Sequence, residues 1–170
     1  MNALNPELYY FEDDGIIPNS KYPLIIYRQV FMYKGEEGAE WLEKTFTENN
    51  WTNSWRWGVY PFHHYHSNTH EVLGVFSGKA LLQLGGPRGE QLNINGGDII
   101  IIPAGTAHKC LIHSKDFTVV GAYPGGIEPD LIREEDLRPL YIKDKIEKVK
   151  LPKTDPYTGT QGGLIKLWHS

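Results

Sequence analysis

The feature that most restricts this chain is a succession of short apolar runs cut at close intervals by glycine and proline. Lys79 to Leu84 (KALLQL) reads as a strand, and Gly85-Gly86-Pro87-Arg88-Gly89 is a loop. Gln91 to Ile94 is another short strand, stopped by Asn95-Gly96-Gly97. Asp98 to Ile102 is a third, apolar enough to be buried, and Pro103-Ala104-Gly105 breaks it. Phe117 to Tyr123 is the last clear strand, closed by Pro124-Gly125-Gly126. Short strands at regular spacing with turns between them predict an all-β sandwich or barrel. The 18 glycines and 11 prolines of the 170 residues favour turns over long helices.

The flanks read differently. Glu12 to Gly15 and Pro18 to Ser20 are turn chemistry within an irregular arm. Pro23 to Met32 is an expected strand, able to join the barrel or a partner's sheet, and Gly35 to Gly38 ends it. Ala39, Leu42 and Phe46 fall at helical spacing, which predicts one short helix over Ala39 to Asn49 on the outside of the barrel. Glu134 to Lys150 is charged, with Leu137, Leu140, Ile142 and Ile146 spaced as in one or two short helices. Leu151 to Ser170 is expected to be an extended tail over the barrel, anchored by Leu164, Leu167 and Trp168. The length suits one domain spanning 1–170, with a barrel core over about 51–124, an arm and helix before it, and a helical segment and tail over 125–170.

Charge and cysteine usage narrow the partners. A net charge of −4 leaves no nucleic-acid footprint and argues against anionic membrane surfaces. No apolar run reaches the length of a membrane span. Cys110 is the single cysteine, so no intrachain disulfide forms, as expected in a reducing compartment. MNALNPELYYFEDD lacks the basic start and apolar centre of a signal peptide, and a cytoplasmic protein is expected.

Chemistry concentrates in Gly58 to Gly78, which holds four of the seven histidines, followed by Glu71. Side chains two apart on a strand share a face, so Tyr60, Phe62, His64 and His66 point one way along the run from Ser54, and His63 and Tyr65 the other. A hairpin through Ser67 to His70 would bring Glu71 to His64 and His66 from the next strand. Two neutral imidazoles and a carboxylate buried together call for a cation, and a divalent metal supplies one. A one-residue bulge would put His63 or His70 in a ligand position instead. His108 opens a later strand on the face of Cys110 and Ile112. By parity the pocket walls are Tyr60, Phe62, Leu73, Val75, Cys110 and Ile112. Cys110 is readable as a further ligand or, more commonly for such a residue, as a small buried hydrophobe. By the same parity Trp55 and Trp57 face away from the metal, toward core or a second subunit, while Arg56 faces the pocket mouth and could meet an anionic group.

Two spacings carry a resemblance. Gly58, five residues, His64, one residue, His66, four residues, Glu71, six residues and Gly78 resemble the first cupin motif at every fixed position. Gly97, five residues, Pro103, one residue, Gly105, two residues and His108 resemble the second, which departs at its end, where Ile112 stands in place of the usual Asn. The resemblance covers Gly58 to Ile112 closely. It implies a cupin-type jelly-roll β-barrel, or double-stranded β-helix, with a few short peripheral helices. It also implies His64, His66, Glu71 and His108 as ligands of a divalent transition metal, and a homodimer.

Mixed nitrogen and oxygen ligation without thiolate suits Fe, Mn, Ni, Co or Zn. Three functions follow: a metal-dependent enzyme, dioxygenase- or isomerase-like, on a small oxygenated metabolite; a non-catalytic module holding a small-molecule ligand; and a structural barrel. The sequence names no catalytic group, and Tyr60, His63 and His70 are the acid–base candidates near the metal.

Overall fold

The apolar runs settle into two antiparallel sheets that face each other, seen in a computed structural model that describes residues 5–169. The first four residues of the expected arm and Ser170, the end of the expected tail, lie outside the described residues. The elements in chain order are β1 (Glu7–Tyr9), β2 (Leu24–Tyr27), α1 (Gly35–Glu48), β3 (Trp51–Trp57), β4 (His64–Tyr65), β5 (Glu71–Ser77) and β6 (Lys79–Leu84). They continue with β7 (Glu90–Asn95), β8 (Ile99–Ile102), β9 (His108–His113), β10 (Thr118–Pro124), β11 (Ile132–Arg133), α2 (Ile142–Glu147) and α3 (Gly163–Trp168).

One sheet runs β1-β2-β8-β5-β10-β3 and the other β11-β4-β9-β6-β7. From β3 to β11 each strand crosses to the opposite sheet, except for the β6–β7 hairpin. That alternation winds a jelly roll, the double-stranded β-helix expected from the resemblance. The all-β expectation therefore holds, with the helices confined to the periphery.

Strand parity explains why Ile99–Ile102 is buried at every position. Ile100 and Ile102 join Leu73, Val75, Leu82 and Val119 between the sheets, while Ile99 and Ile101 face outward against Leu42 and Phe46 of α1 and Trp168 of α3. A strand covered on both faces reads as a continuous apolar run. The tail is pinned by Asp155, fully buried. Its Oδ2 accepts from the Tyr27 hydroxyl at 2.6 Å and the Leu164 N–H at 2.9 Å, and its Oδ1 from the N–H groups of Tyr157 and Thr158 at 2.7 and 2.9 Å.

Several boundaries differ from the sequence reading. The strand expected over Pro23 to Met32 shortens to β2, because Gln29 takes a left-handed φ of 51° and gives its N–H to the buried Asp98 carboxylate. Strand β2 lies between β1 and β8, so it is spent inside this chain. Gly35 to Gly38, expected to end a strand, forms the first turn of α1 with Glu36 and Glu37 at the end where the helix dipole favours acids. The tail carries α3, with Leu164 and Trp168 buried as its anchors. No helix of the described residues is long and apolar enough to cross a membrane.

Candidate metal centre

The site forms where the two long-spaced motifs meet. His64 on β4 pairs directly with His108 on β9, and their rings lie 4.0 Å apart. His66 follows two residues on, and its carbonyl accepts the N–H of Gly105 at 2.8 Å. Gly105 has a φ of 91°, and a Cβ there would stand 2.5 Å from the Asn19 carbonyl, so only glycine makes this turn without displacing the arm. The glycine of the second motif thus ties the His108 strand to the His66 strand.

Each imidazole gives its Nδ1–H to a backbone carbonyl: His64 to Phe62 at 3.0 Å, His66 to Asp130 at 2.5 Å and His108 to Thr106 at 3.3 Å. A carbonyl can only accept, so it places a proton on Nδ1 and makes Nε2 the lone pair whenever the ring is neutral. The ligand atoms of the three buried rings lie within 4.8 Å of one another. Glu71 reaches them from β5 on the opposite sheet, across the barrel interior. It does not approach along a β4–β5 hairpin, as the sequence reading had it, because those strands belong to different sheets. Its Oε2 stands 3.2 Å from His66 Nε2 and 3.0 Å from His108 Nε2.

The electrostatics follow from burial and these contacts. Burial, aided by the neighbouring His108 imidazole, pushes His64 down to about 2. Burial would also lower His66, but the Glu71 carboxylate outweighs it and raises that imidazole. For Glu71 burial acts upward, and the His66 and His108 rings outweigh it, holding the carboxyl well below the usual carboxylate range. The centre thus sets an ionised carboxylate against the Nε2 atoms of His66 and His108, a contact that either a proton or a metal cation can bridge.

Beside it opens a cavity of about 320 Å³, walled by Trp55, Trp57, Tyr60, Leu73, Tyr123 and residues 128–131. Of the walls expected from parity, Tyr60 and Leu73 are there. Phe62 lies behind Tyr60, stacked at 4.8 Å between ring centroids, with the Arg133 guanidinium 3.9 Å above its own centroid. Val75 and Cys110 face inward but sit deeper, within the core between the sheets. Ile112 is 68 % exposed. Pairing slips between Leu81 and Leu82, which face Ile112 and Cys110, so a bulge turns Ile112 outward. Burial raises the Cys110 thiol, and its Sγ contacts the Ile112 carbonyl at 3.7 Å, the behaviour of a buried hydrophobe.

The orientation expected for Trp55 and Trp57 is reversed: both line the cavity. The run from Ser54 to His66 is not one strand, since the chain leaves one sheet after Trp57 and enters the other at His64. Parity is reset in that crossing. Arg56 accordingly points away from the pocket mouth, bound to Glu36 at 2.8 Å and Glu43 at 2.7 Å on α1. His70 bridges the Ala104 N–H, 2.9 Å from its Nδ1, and the Lys150 carbonyl, 3.2 Å from its Nε2. Its ring packs against Trp168 at 4.9 Å. His63 is buried outside the cavity lining, with Nδ1 unpartnered.

Tyr123 and residues 128–131 join the cavity without having been expected there, beside Trp55 and Trp57, which were expected on the other face. The Trp55 Nε1–H donates to the Tyr123 hydroxyl at 2.8 Å, and burial with the nearby Glu71 charge holds that phenol above its ordinary value. Parity of Tyr123 on β10 was a usable signal. The backbone carbonyl of Asp130 left none.

Two facing sheets in this crossing order, with two motifs converging on one histidine cluster, define a cupin-type barrel. No known family profile matches the sequence. The chain belongs to the family of Uncharacterized protein YjlB of Bacillus subtilis (strain 168), with which it is 40% identical over 163 residues, covering 95% of this chain and 96% of that one. Among solved structures it is similar to an uncharacterized conserved protein with a double-stranded beta-helix domain from Klebsiella pneumoniae, at 13% identity and a TM-score of 0.37, over 79% of this chain and 82% of that one. It is also similar to acireductone dioxygenase from Bacillus anthracis with a cadmium ion in its active centre, at 14% identity and a TM-score of 0.39, over 54% of this chain and 61% of that one.

Proposed function

We propose that His64, His66, His108 and Glu71 hold one divalent transition metal, of the group Fe, Mn, Ni, Co and Zn, and that the adjoining cavity takes a small oxygenated metabolite. One observation carries this reading: Nε2 of His66 and of His108 stand 3.2 and 3.0 Å from the same Glu71 oxygen while their Nδ1 protons are committed elsewhere. A carboxylate oxygen held this close to two Nε2 atoms calls for positive charge between them, and a metal cation satisfies both contacts and the neutral His64 ring at once. When bound, the metal supplies a Lewis acid and a meeting point for a chelating substrate and O2.

The chain's own contribution is to shape and dry the cavity. Tyr123, kept protonated by burial and the Glu71 carboxylate and oriented by Trp55, lines the cavity together with Tyr60. This supports an enzyme of the dioxygenase or isomerase kind. The alternative, a non-catalytic binding module, is favoured by one observation: His63 and His70, the other acid–base candidates, do not line the cavity. Of the features taken to support a homodimer, Trp55 and Trp57 line the cavity and β2 is paired on both edges within the chain. The dimer rests on resemblance, and sedimentation showing only a 19.4 kDa species removes it.

The test is elemental analysis of protein purified without a metal-affinity step, followed by reconstitution. About one equivalent of metal is expected. Substoichiometric binding of all five ions after reconstitution overturns the assignment. Oxygen uptake across diketones, catechols and thiols, and NMR of sugar isomerisation, then separate the two enzyme classes. A metabolite held but never turned over selects the binding module.

A further inference from the structure

The cavity beside the histidines has a charge pattern that the metal does not explain. Its acidic lining residues are Glu71, Glu128 and Asp130, and beyond the three histidines no lysine or arginine lines it. Glu71 faces His66 and His108, and Asp130 is met by Lys145 at 3.1 Å. Glu128 has no cationic partner among the described residues; its Oε2 accepts only from the neutral Asn53 side chain, at 3.0 Å. It is exposed and lines the same cavity as the indoles of Trp55 and Trp57 and the phenol of Tyr60.

These rings are arranged as a wall. Trp57 meets Tyr60 edge-on at 5.1 Å between centroids and remains 54 % exposed. Trp55 is fixed by its hydrogen bond to Tyr123. Aromatic faces attract cations through their quadrupole, most strongly for indole, and a quaternary or primary ammonium between such faces and a carboxylate is favoured twice over. The same ladder of rings already shows this preference one step outward, where the Arg133 guanidinium sits 3.9 Å above Phe62. A neutral tail would leave Glu128 without a cation, and an anionic one would be repelled by it.

We propose that the ligand of this cavity carries an ammonium group, held by the aromatic wall of Trp55 and Trp57 and attracted by Glu128. The inference rests on the proposed function for the oxygen-bearing end of that ligand, and by itself only for the location of the cavity. It narrows the substrate class to small oxygenated amines, quaternary amines and zwitterions.

The experiment uses full-length protein of measured metal content and three probes of similar bulk: choline, its uncharged carbon isostere neohexyl alcohol, and the anion pivalate. Binding is followed by tryptophan fluorescence and calorimetry. Choline is expected to bind roughly tenfold tighter than its isostere, as a cation–π contact reinforced by a carboxylate would give. That preference should fall severalfold in Glu128→Gln and vanish in Trp57→Ala, a half-exposed position where loss of the ring spares the fold. Equal or tighter binding of neohexyl alcohol or pivalate overturns the proposal, as does failure of choline to saturate at tens of millimolar with metal at full occupancy. Choline selectivity in protein that takes up no metal overturns the metal assignment and leaves the ammonium site standing.

Discussion

The Asp130 carbonyl takes the Nδ1 proton of His66 at 2.5 Å, and the Asp130 carboxylate is clasped by the Ser67 N–H at 2.7 Å and by the Ser67 hydroxyl. One residue from an irregular segment thus orients an imidazole of the candidate metal centre with its backbone and locks itself to the next residue along with its side chain. Asn68 adds two further bonds, accepting from the Asp130 N–H at 3.0 Å and donating to the Glu128 carbonyl at 2.9 Å. The segment that walls the cavity is therefore latched to the turn after β4.

Removing a ligand tests the centre most directly. His66→Ala or His108→Ala should lower metal affinity by more than about 100-fold, beyond the loss expected for an outer partner. Elemental analysis beside wild type reads the result. Unchanged metal content in His66→Ala refutes the ligand set.

Loosening the latch should give a smaller effect of the same sign. Ser67→Ala removes one bond to Asp130 without touching a ligand, and metal affinity should fall by about tenfold. The accompanying loss of stability should be about 1 kcal/mol. A chelator-competition titration measures the first and urea denaturation the second. Wild-type affinity in this variant would show that the Asp130 carbonyl holds His66 without help.

The division between what the sequence disclosed and what it hid is physical. Apolar runs, glycine turns and the spacing of His64, His66, Glu71 and His108 record local geometry, and they located the barrel strands and the histidine cluster. Parity arguments failed wherever the chain changed sheet or bulged. The crossing between Trp57 and His64 turned Trp55 and Trp57 inward and Arg56 outward, and the slip at Leu81 and Leu82 turned Ile112 to solvent. A bulge inserts one residue into a strand of otherwise ordinary sequence, so periodicity carries no mark of it. The second support of His66 is a main-chain carbonyl, which any residue at position 130 would possess.

The Trp55 wall depends on a missing side chain. A Cβ at Gly121 would stand 2.2 Å from the Trp55 indole, which packs flat over that glycine on β10. Gly121→Ala should displace Trp55, cost about 1–3 kcal/mol through overpacking, and weaken binding of small ligands. Metal content should be unchanged, because β10 supplies no ligand. A change in tryptophan emission with full metal occupancy checks this, and loss of metal would show that the wall and the centre are coupled.

The Tyr27–Asp155 bond gives a prediction about pH that is independent of the metal. Burial, with the Asp155 carboxylate beside it, raises the Tyr27 phenol above its ordinary value of 10.0. Above that pH the unfolded chain gives up this proton and the native state keeps it, so the native state binds more protons and stability falls as pH rises. The slope contributed by one such group approaches about 1.4 kcal/mol per pH unit. Tyr27→Phe has no proton to lose there. At neutral pH it should be less stable by about 1–2 kcal/mol, since Asp155 loses one of four donors. With rising pH the gap should close, and by about pH 11.5 the variant should match or exceed wild type. Urea denaturation of both proteins from neutral to strongly alkaline pH reads the difference and cancels the contribution of the other tyrosines. A gap that stays constant across that range would mean that Tyr27 titrates alike in the folded and unfolded chains, and that its hydroxyl is not held by Asp155.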